Sequence, residues 1–116
     1  MPDIGTLRPL DGGAFSGRVR TLTHRLNLEF EPIEAADKRG RESPDFTVYA
    51  KDGADLIPIG SAWKKETTRD GTRFLSITLD DPSFPAPLNL AAFPNDEAGD
   101  TWRIVWNRPR QLREAA

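Results

Sequence analysis

The hydrophobic residues of this chain recur at every second position along most of its length. A period of two places successive side chains on opposite faces of a β-strand, so the pattern predicts half-buried strands. It is clearest where Leu26, Leu28 and Phe30 alternate with polar residues. Five segments show this alternation: 15–21, 26–31, 46–50, 75–80 and 102–107.

Two further apolar runs, 57–65 and 88–93, are interrupted or bracketed by proline. Proline cannot donate a ladder hydrogen bond, so both runs are predicted to form edge or bent strands. Asp70-Gly71 lies between the first of these runs and the 75–80 segment. Asp-Gly between two strand patterns predicts a β-hairpin, because glycine tolerates positive φ.

The strand patterns together predict an all-β fold. Apolar residues spaced three and four apart do not continue over any long stretch, and the charged segment 34–42 is predicted to be a connection with one helical turn at 34–38. Six or seven short, mostly antiparallel strands form either a small barrel or a two-sheet sandwich. The alternation does not distinguish these two architectures.

Composition sets the class of protein. The chain has 116 residues and no cysteine, which predicts one domain at 1–108 with a frayed tail at 109–116 and excludes disulfides and thiolate catalysis. No segment reaches the ~20 apolar residues that cross a bilayer, so a cytoplasmic protein without membrane contact is expected. The net charge of −2 argues against a surface built entirely to attract nucleic acid, although arginines concentrate at 1–25 and 101–116.

Several short motifs follow one another in a characteristic order from about residue 4 to 108. They are Ile4-Gly5-Thr6, Phe15-Ser16-Gly17, Ser43-Pro44-Asp45-Phe46, Ile59-Gly60-Ser61-Ala62-Trp63-Lys64-Lys65, Phe74-Leu75-Ser76, Leu79-Asp80-Asp81-Pro82-Ser83-Phe84-Pro85-Ala86-Pro87 and Ile104-Val105-Trp106. Together they resemble the domain of unknown function family 736. The resemblance implies a small bacterial protein, often encoded on plasmids near conjugation genes, and it supplies no catalytic residues.

No combination of residues supports catalysis, so a non-enzymatic protein without a cofactor or a metal is expected. The one histidine, His24, has no second imidazole or thiolate with which to bind zinc, and no sequence cue links it to Ser61 as a base. A metal-dependent enzyme that uses Asp45, Asp80 and Asp81 is the lower-ranked alternative. Adjacent strand residues point to opposite faces, which disfavours a metal shared by Asp80 and Asp81.

The cluster with the clearest functional character is aromatic and basic, and it surrounds the predicted hairpin. Single-stranded nucleic acid is bound by stacking on aromatic rings beside cationic groups. We therefore hypothesise an accessory module that binds nucleic acid or a nucleoprotein complex; alternatively, the tryptophan is core and the cations solvate an exposed hairpin. The candidate residues are Trp63, Lys64, Lys65, Arg69 and Arg73, with Arg18 and Arg20 as neighbours.

The alternative function is a protein-interaction module or a self-associating dimer that uses the proline-rich segment 82–87. Prolines hold such a segment extended before it binds, which lowers the entropy cost of association. Phe84 and Pro85 are the candidate partner-binding residues. In the competing interpretation, Phe84 folds back and closes the bottom of the core.

Overall fold

The computed structural model describes residues 3–22, 24–34, 43–82, 84, 86–95 and 100–106. Their backbone forms β-strands and one short 3₁₀ turn at Asp11–Gly13, which confirms the predicted all-β fold. The strands are β1 Asp3–Pro9, β2 Phe15–Arg20, β3 Arg25–Pro32, β4 Phe46–Asp52, β5 Asp55–Glu66, β6 Arg73–Leu79, β7 Leu88–Pro94 and β8 Trp102–Trp106. The predicted helical turn at 34–38 and the tail at 109–116 fall largely or wholly outside the described residues.

The eight strands close into an antiparallel barrel in sequence order. Each strand pairs with the next one along the chain, and β1 pairs with β8 to complete the ring. Closure selects the barrel over the sandwich and leaves no free sheet edge among the described strands. Of the two alternatives for the runs 57–65 and 88–93, edge or bent strands, the edge strand is wrong, because β5 and β7 are each paired on two sides.

The strand that the alternation missed is β1, which raises the count from the expected six or seven to eight. Its pairing with β8 shifts register between Asp3 and Gly5. The irregularity lets Ile4 pack against the core while Leu7 is fully buried. Because Ile4 and Leu7 both face inward and are three positions apart, the sequence of β1 does not alternate with a period of two.

A second irregularity explains how β5 accommodates its proline. Tyr49 of β4 pairs with Pro58, whereas Val48 pairs with Gly60, so Ile59 is an extra residue in this ladder. The missing N–H of a proline is tolerated at such a bulge. On the other side of β5, the carbonyl oxygen of the extra residue Ile59 accepts a hydrogen bond from the N–H of Asp80 at 2.7 Å.

The inward-facing side chains form one core, and the two ends of the barrel are closed differently. We call the end where β2, β4, β6 and β8 begin the mouth, and the opposite end the base. Phe84 lies at the base, 9% exposed, with its ring edge-to-face against His24 at a centroid distance of 4.9 Å. The structure therefore places Phe84 in the core rather than on the surface as a partner anchor, and Pro85 lies outside the described residues.

Candidate functional site

The hairpin between β5 and β6 confirms the prediction made from Asp70-Gly71. Gly71 adopts a φ of 72°, and the Asp70 carboxylate organises the turn. Asp70 Oδ1 accepts hydrogen bonds from the Thr67 hydroxyl at 2.5 Å, the Thr72 hydroxyl at 2.7 Å and the Thr72 N–H at 3.1 Å. This network fixes the turn that joins the two strands carrying most of the candidate cations.

The same hydrogen bonds, above all the one from the Thr67 hydroxyl, lower the pKa of Asp70 from 3.8 to about 2. Because the folded-state pKa is depressed, the ionised carboxylate stabilises the turn fully above pH 3.8, and this contribution is lost as the pH falls through about 2. We expect an NMR titration of the Asp70 carboxyl carbon to show a midpoint near 2, and Thr67→Val to raise it. Thr68→Val is the matched control and should leave the midpoint in place. A wild-type midpoint at 3.8 would contradict the network.

The cations of the hairpin divide between two surfaces. Lys64 lies opposite the buried Leu75, so it is on the inward face. Successive strand residues alternate between faces, so Lys65 and its partner Phe74 are on the outward face. Arg73 also lies on the inward side of β6, at the mouth, and Arg69 is exposed in the turn itself. The sequence treated these four cations as one cluster. The structure brings Lys64, Lys65 and Arg73 together around one pocket at the mouth and places Arg69 apart from them, in the turn.

Lys65 belongs to a line of outward side chains that crosses six neighbouring strands from β5 to β2. Strand register places Lys65 beside Phe74, Phe93 beside Arg103, Arg103 beside Thr6 and Thr6 beside Arg18. The rings of Phe74 and Phe93 stack across β6 and β7, and this contact connects Lys65 and Phe74 to the remaining members of the line. We call this line the outer row; its members are Lys65, Phe74, Phe93, Arg103, Thr6 and Arg18.

Phe93 lies between an aromatic ring and a cation at the centre of the outer row. Its ring stacks on Phe74 with a centroid distance of 5.3 Å and an interplanar angle of 20°. The guanidinium of Arg103 lies 5.4 Å from the centroid of Phe93. Because β6 and β8 flank β7 on opposite sides, Phe74 and Arg103 approach Phe93 from opposite sides. The face of Phe74 turned away from Phe93 is directed toward Lys65.

The cations of the outer row are available to anions in solution. Lys65, Arg103 and Arg18 are exposed. Among the described residues none of the three forms an ion pair, whereas Lys51 pairs with Glu29 at 3.3 Å. Neighbouring strands lie about 4.8 Å apart, so the row extends about 14 Å from β5 to β8 and about 24 Å to β2. No carboxylate is a member of the row.

The mouth of the barrel contains a pocket of about 560 Å³ that adjoins the outer row. Its floor is aromatic, because Phe15 packs edge-to-face against Trp102 at 5.4 Å and against Phe46 at 5.7 Å. Lys64 Nζ lies 5.7 Å from the Phe46 centroid, a cation–π contact worth about 0.5 to 1 kcal/mol at exposed sites. The N–H of Lys64 donates to the Asp45 carboxylate at 2.8 Å, which holds this end of β5 against the start of β4.

Two other candidates from the sequence lie away from the outer row. Trp63 points outward and is half-buried. The strand register places it in one outward row with Ala91 and Val105, which are buried, so this row is not open surface. Arg20 lies at the base, opposite Arg25. Neither is positioned with the aromatic pair.

The aspartates considered as metal ligands are divided between the two ends of the barrel. Asp45 precedes β4 at the mouth, whereas Asp80 and Asp81 follow β6 at the base. Within the described ranges, no three His, Cys, Asp or Glu residues are grouped closely enough to hold a metal ion. The described residues also contain no helix long and apolar enough to cross a membrane.

Sequence reasoning missed Phe93 and Arg103 as site residues and did not give Phe74 a role. The signal that would have found them is the phase of the alternation. Leu90 and Ala92 are inward, so Phe93 must be outward; Ile104 is inward, so Arg103 must be outward. An aromatic residue on the outward phase of a strand is a candidate surface ring, although the row of Trp63 shows that the outer wall can also be covered.

Fold and surface together define a small closed β-barrel with a stacked phenylalanine pair between exposed cations. The model of one protein family matches residues 3–109, and the chain belongs to that family, described as "Protein of unknown function (DUF736)". This confirms the resemblance found in the sequence motifs. No curated protein and no solved structure matches the chain. The family description names no activity.

Proposed function

We propose that this protein is a non-catalytic accessory module that binds single-stranded nucleic acid along the outer row. The observation that carries the proposal is the stack of Phe74 on Phe93 outside the barrel, which leaves the second face of Phe74 beside Lys65 while Arg103 lies against Phe93. The plasmid and conjugation context implied by the sequence resemblance supports it, since plasmid transfer exposes single-stranded DNA.

The chemistry of the outer row matches the two requirements of single-strand binding. Unpaired bases stack on aromatic side chains with little sequence preference, because every base has a π-face. Phosphates are bound by cations whose counterions are released, and Lys65, Arg103 and Arg18 supply positive charge along the same line. The row therefore combines stacking surface with charge.

The shape of the site favours single strands over duplex. Bases in a duplex are stacked on one another and present only their edges in the grooves, which are read by a protruding helix or β-ribbon. The outer row lies across a barrel wall, where its rings reach bases only if those bases are unpaired. We therefore expect duplex DNA to bind through charge alone and more weakly.

Fluorescence anisotropy with labelled single-stranded and duplex oligonucleotides, at low and moderate salt, tests the proposal. Phe74→Ala should weaken single-strand binding about tenfold, since a base can stack on the face of Phe74 turned away from Phe93, and stacking contributes about 1 to 3 kcal/mol per base. Arg103→Glu should weaken it and reduce the magnitude of the salt slope by about 0.7 for each phosphate that the variant no longer binds. Duplex binding should change little in Phe74→Ala.

Two matched controls make the result specific to the outer row. Tyr49→Ala removes an outward aromatic ring from β4, and Arg25→Glu reverses a charge at the base. Both should retain nearly wild-type affinity. The proposal is refuted by the absence of single-strand binding at low salt, or by equal losses of affinity in Arg25→Glu and Arg103→Glu.

The alternative of a partner-binding or self-associating module through segment 82–87 has less support. It needs an exposed aromatic anchor or an open sheet edge. Phe84 is 9% exposed, and the described strands close on themselves. The aromatic pair on the outer wall of the barrel favours the nucleic-acid proposal instead.

A further inference from the structure

The pocket at the mouth continues the outer row. Lys65 and Phe74 are members of the row and also line the pocket. A strand that stacks on the open face of Phe74 would therefore reach the rim of the pocket without leaving the protein surface. The volume of about 560 Å³ is typical of a small-molecule site.

The lining of the pocket combines an aromatic floor with a positive rim. Phe15 and Trp102 are half-buried and face the opening, where a flat ring can pack against them. Lys64, Lys65 and Arg73 lie on the rim with one carboxylate, Glu66. Among the described residues none of the three cations forms an ion pair, so the rim keeps a net positive charge.

Lys64 and Arg73 lie on the inward face of the sheet at the exposed end of the barrel. This face is buried elsewhere along β5 and β6, as Ala62 and Leu75 show. A closed barrel has no edge to protect, so inward charges are not needed to prevent sheet pairing. At the mouth they direct positive charge over an apolar floor, an arrangement that suits a ligand with a planar ring and an anionic group.

We propose that the mouth receives the terminal nucleotide of the strand bound on the outer row. Its base packs against Phe15 and Trp102, and its terminal phosphate lies at Lys64 and Arg73. Buried Leu75 and Phe46 close the pocket on the side of the core, so a nucleotide that enters from the row stops there. A terminal phosphate also carries more negative charge than an internal phosphodiester, about −1.5 to −2 at neutral pH. This inference rests on the proposed function.

The test compares three labelled single strands of one sequence, with a 5′ phosphate, with a 3′ phosphate and with neither. One phosphorylated form should bind about tenfold more tightly than the unmodified strand, because hydrogen bonds to charged groups are worth about a factor of ten or more. Lys64→Met removes the charge and should bring the affinities for the phosphorylated and unmodified strands to within about twofold of each other. Arg73→Gln should do the same, and Lys64→Arg should restore the difference. Arg103→Glu, outside the pocket, should weaken all three strands equally.

The outcomes separate this inference from the proposed function. Strands that bind with equal affinity whatever their ends overturn the mouth site and leave the outer row intact. Equal weakening of all three strands by Lys64→Met also overturns it, since the lysine would then act only as general surface charge. Failure of every strand to bind at low salt refutes the outer row and the mouth site together.

Discussion

Gly17→Ala is expected to destabilise the barrel by about 3 kcal/mol or more, because it forces the backbones of β1 and β2 apart. Gly17 pairs with Leu7 of β1. A Cβ added at Gly17 would overlap the carbonyl oxygen of Thr6 and a terminal methyl of Leu7, and would lie 3.1 Å from Leu7 Cα. The leucine is fully buried, so neither the side chain nor the paired backbone has room to move.

Urea denaturation followed by circular dichroism measures this effect as a lower midpoint. Ser16→Ala, the adjacent outward position on β2, is the control and should change stability by about 0.5 kcal/mol or less. Small domains have about 5 to 15 kcal/mol of stability in total, so Gly17→Ala removes a large fraction of it. A Gly17→Ala midpoint equal to that of wild type would show that β1 and β2 are not packed as described.

Phe84→Ala is expected to lower the free energy of unfolding by about 3 kcal/mol. This value is at the lower end of the range for buried phenylalanine, because solvent at the base can enter the space that the ring leaves. Phe84 is 9% exposed and contacts the His24 ring, in a cavity also lined by Leu88 and Trp106. Removal of the ring would leave these apolar groups without their packing partner. Thermal unfolding monitored by calorimetry measures the effect, and Phe84→Leu should restore most of the stability.

The same variant decides between two roles for the proline-rich segment. A core role predicts lower stability with an unchanged mass in light scattering. A partner-binding role predicts unchanged stability together with the disappearance of a dimer or of a bound protein. An unaltered unfolding temperature in Phe84→Ala would therefore exclude the core role that the structure assigns.

The period of two located five of the eight strands, because those strands keep one face inward along most of their length, and two apolar runs located β5 and β7. It failed at β1, where the irregularity beside Gly5 makes Ile4 and Leu7 both pack inward. The sequence also left open whether Trp63, near the end of β5, is a surface ring or part of the core. Trp63 is the larger apolar residue there, yet the buried Ala62 fixes the inward phase, so Trp63 points outward and Lys64 inward.

The sequence predicted part of the candidate site. The residues that it missed are brought there by the register between strands. The sequence pointed to Lys65 and Arg18 as cations, but nothing local to Phe74 indicates that Phe93 will stack on it from another strand. Cross-strand neighbours depend on how seven hairpin registers combine around the ring, and that information is not contained in any one segment. The mouth was not predicted for the same reason, since it draws its lining from five strands and the turn at Gly13.

The ladder between β1 and β8 differs from the other seven, because it joins the two ends of the described chain rather than consecutive strands. The seven hairpins form from neighbouring segments, whereas this last ladder must wait until residues 102–106 have been synthesised. Until then β1 presents an open edge, which is the stage at which the nascent chain is most exposed to aggregation. The outer row crosses this seam between Arg103 and Thr6, so a strand lying along the row would hold the first and last strands together and favour the closed ring.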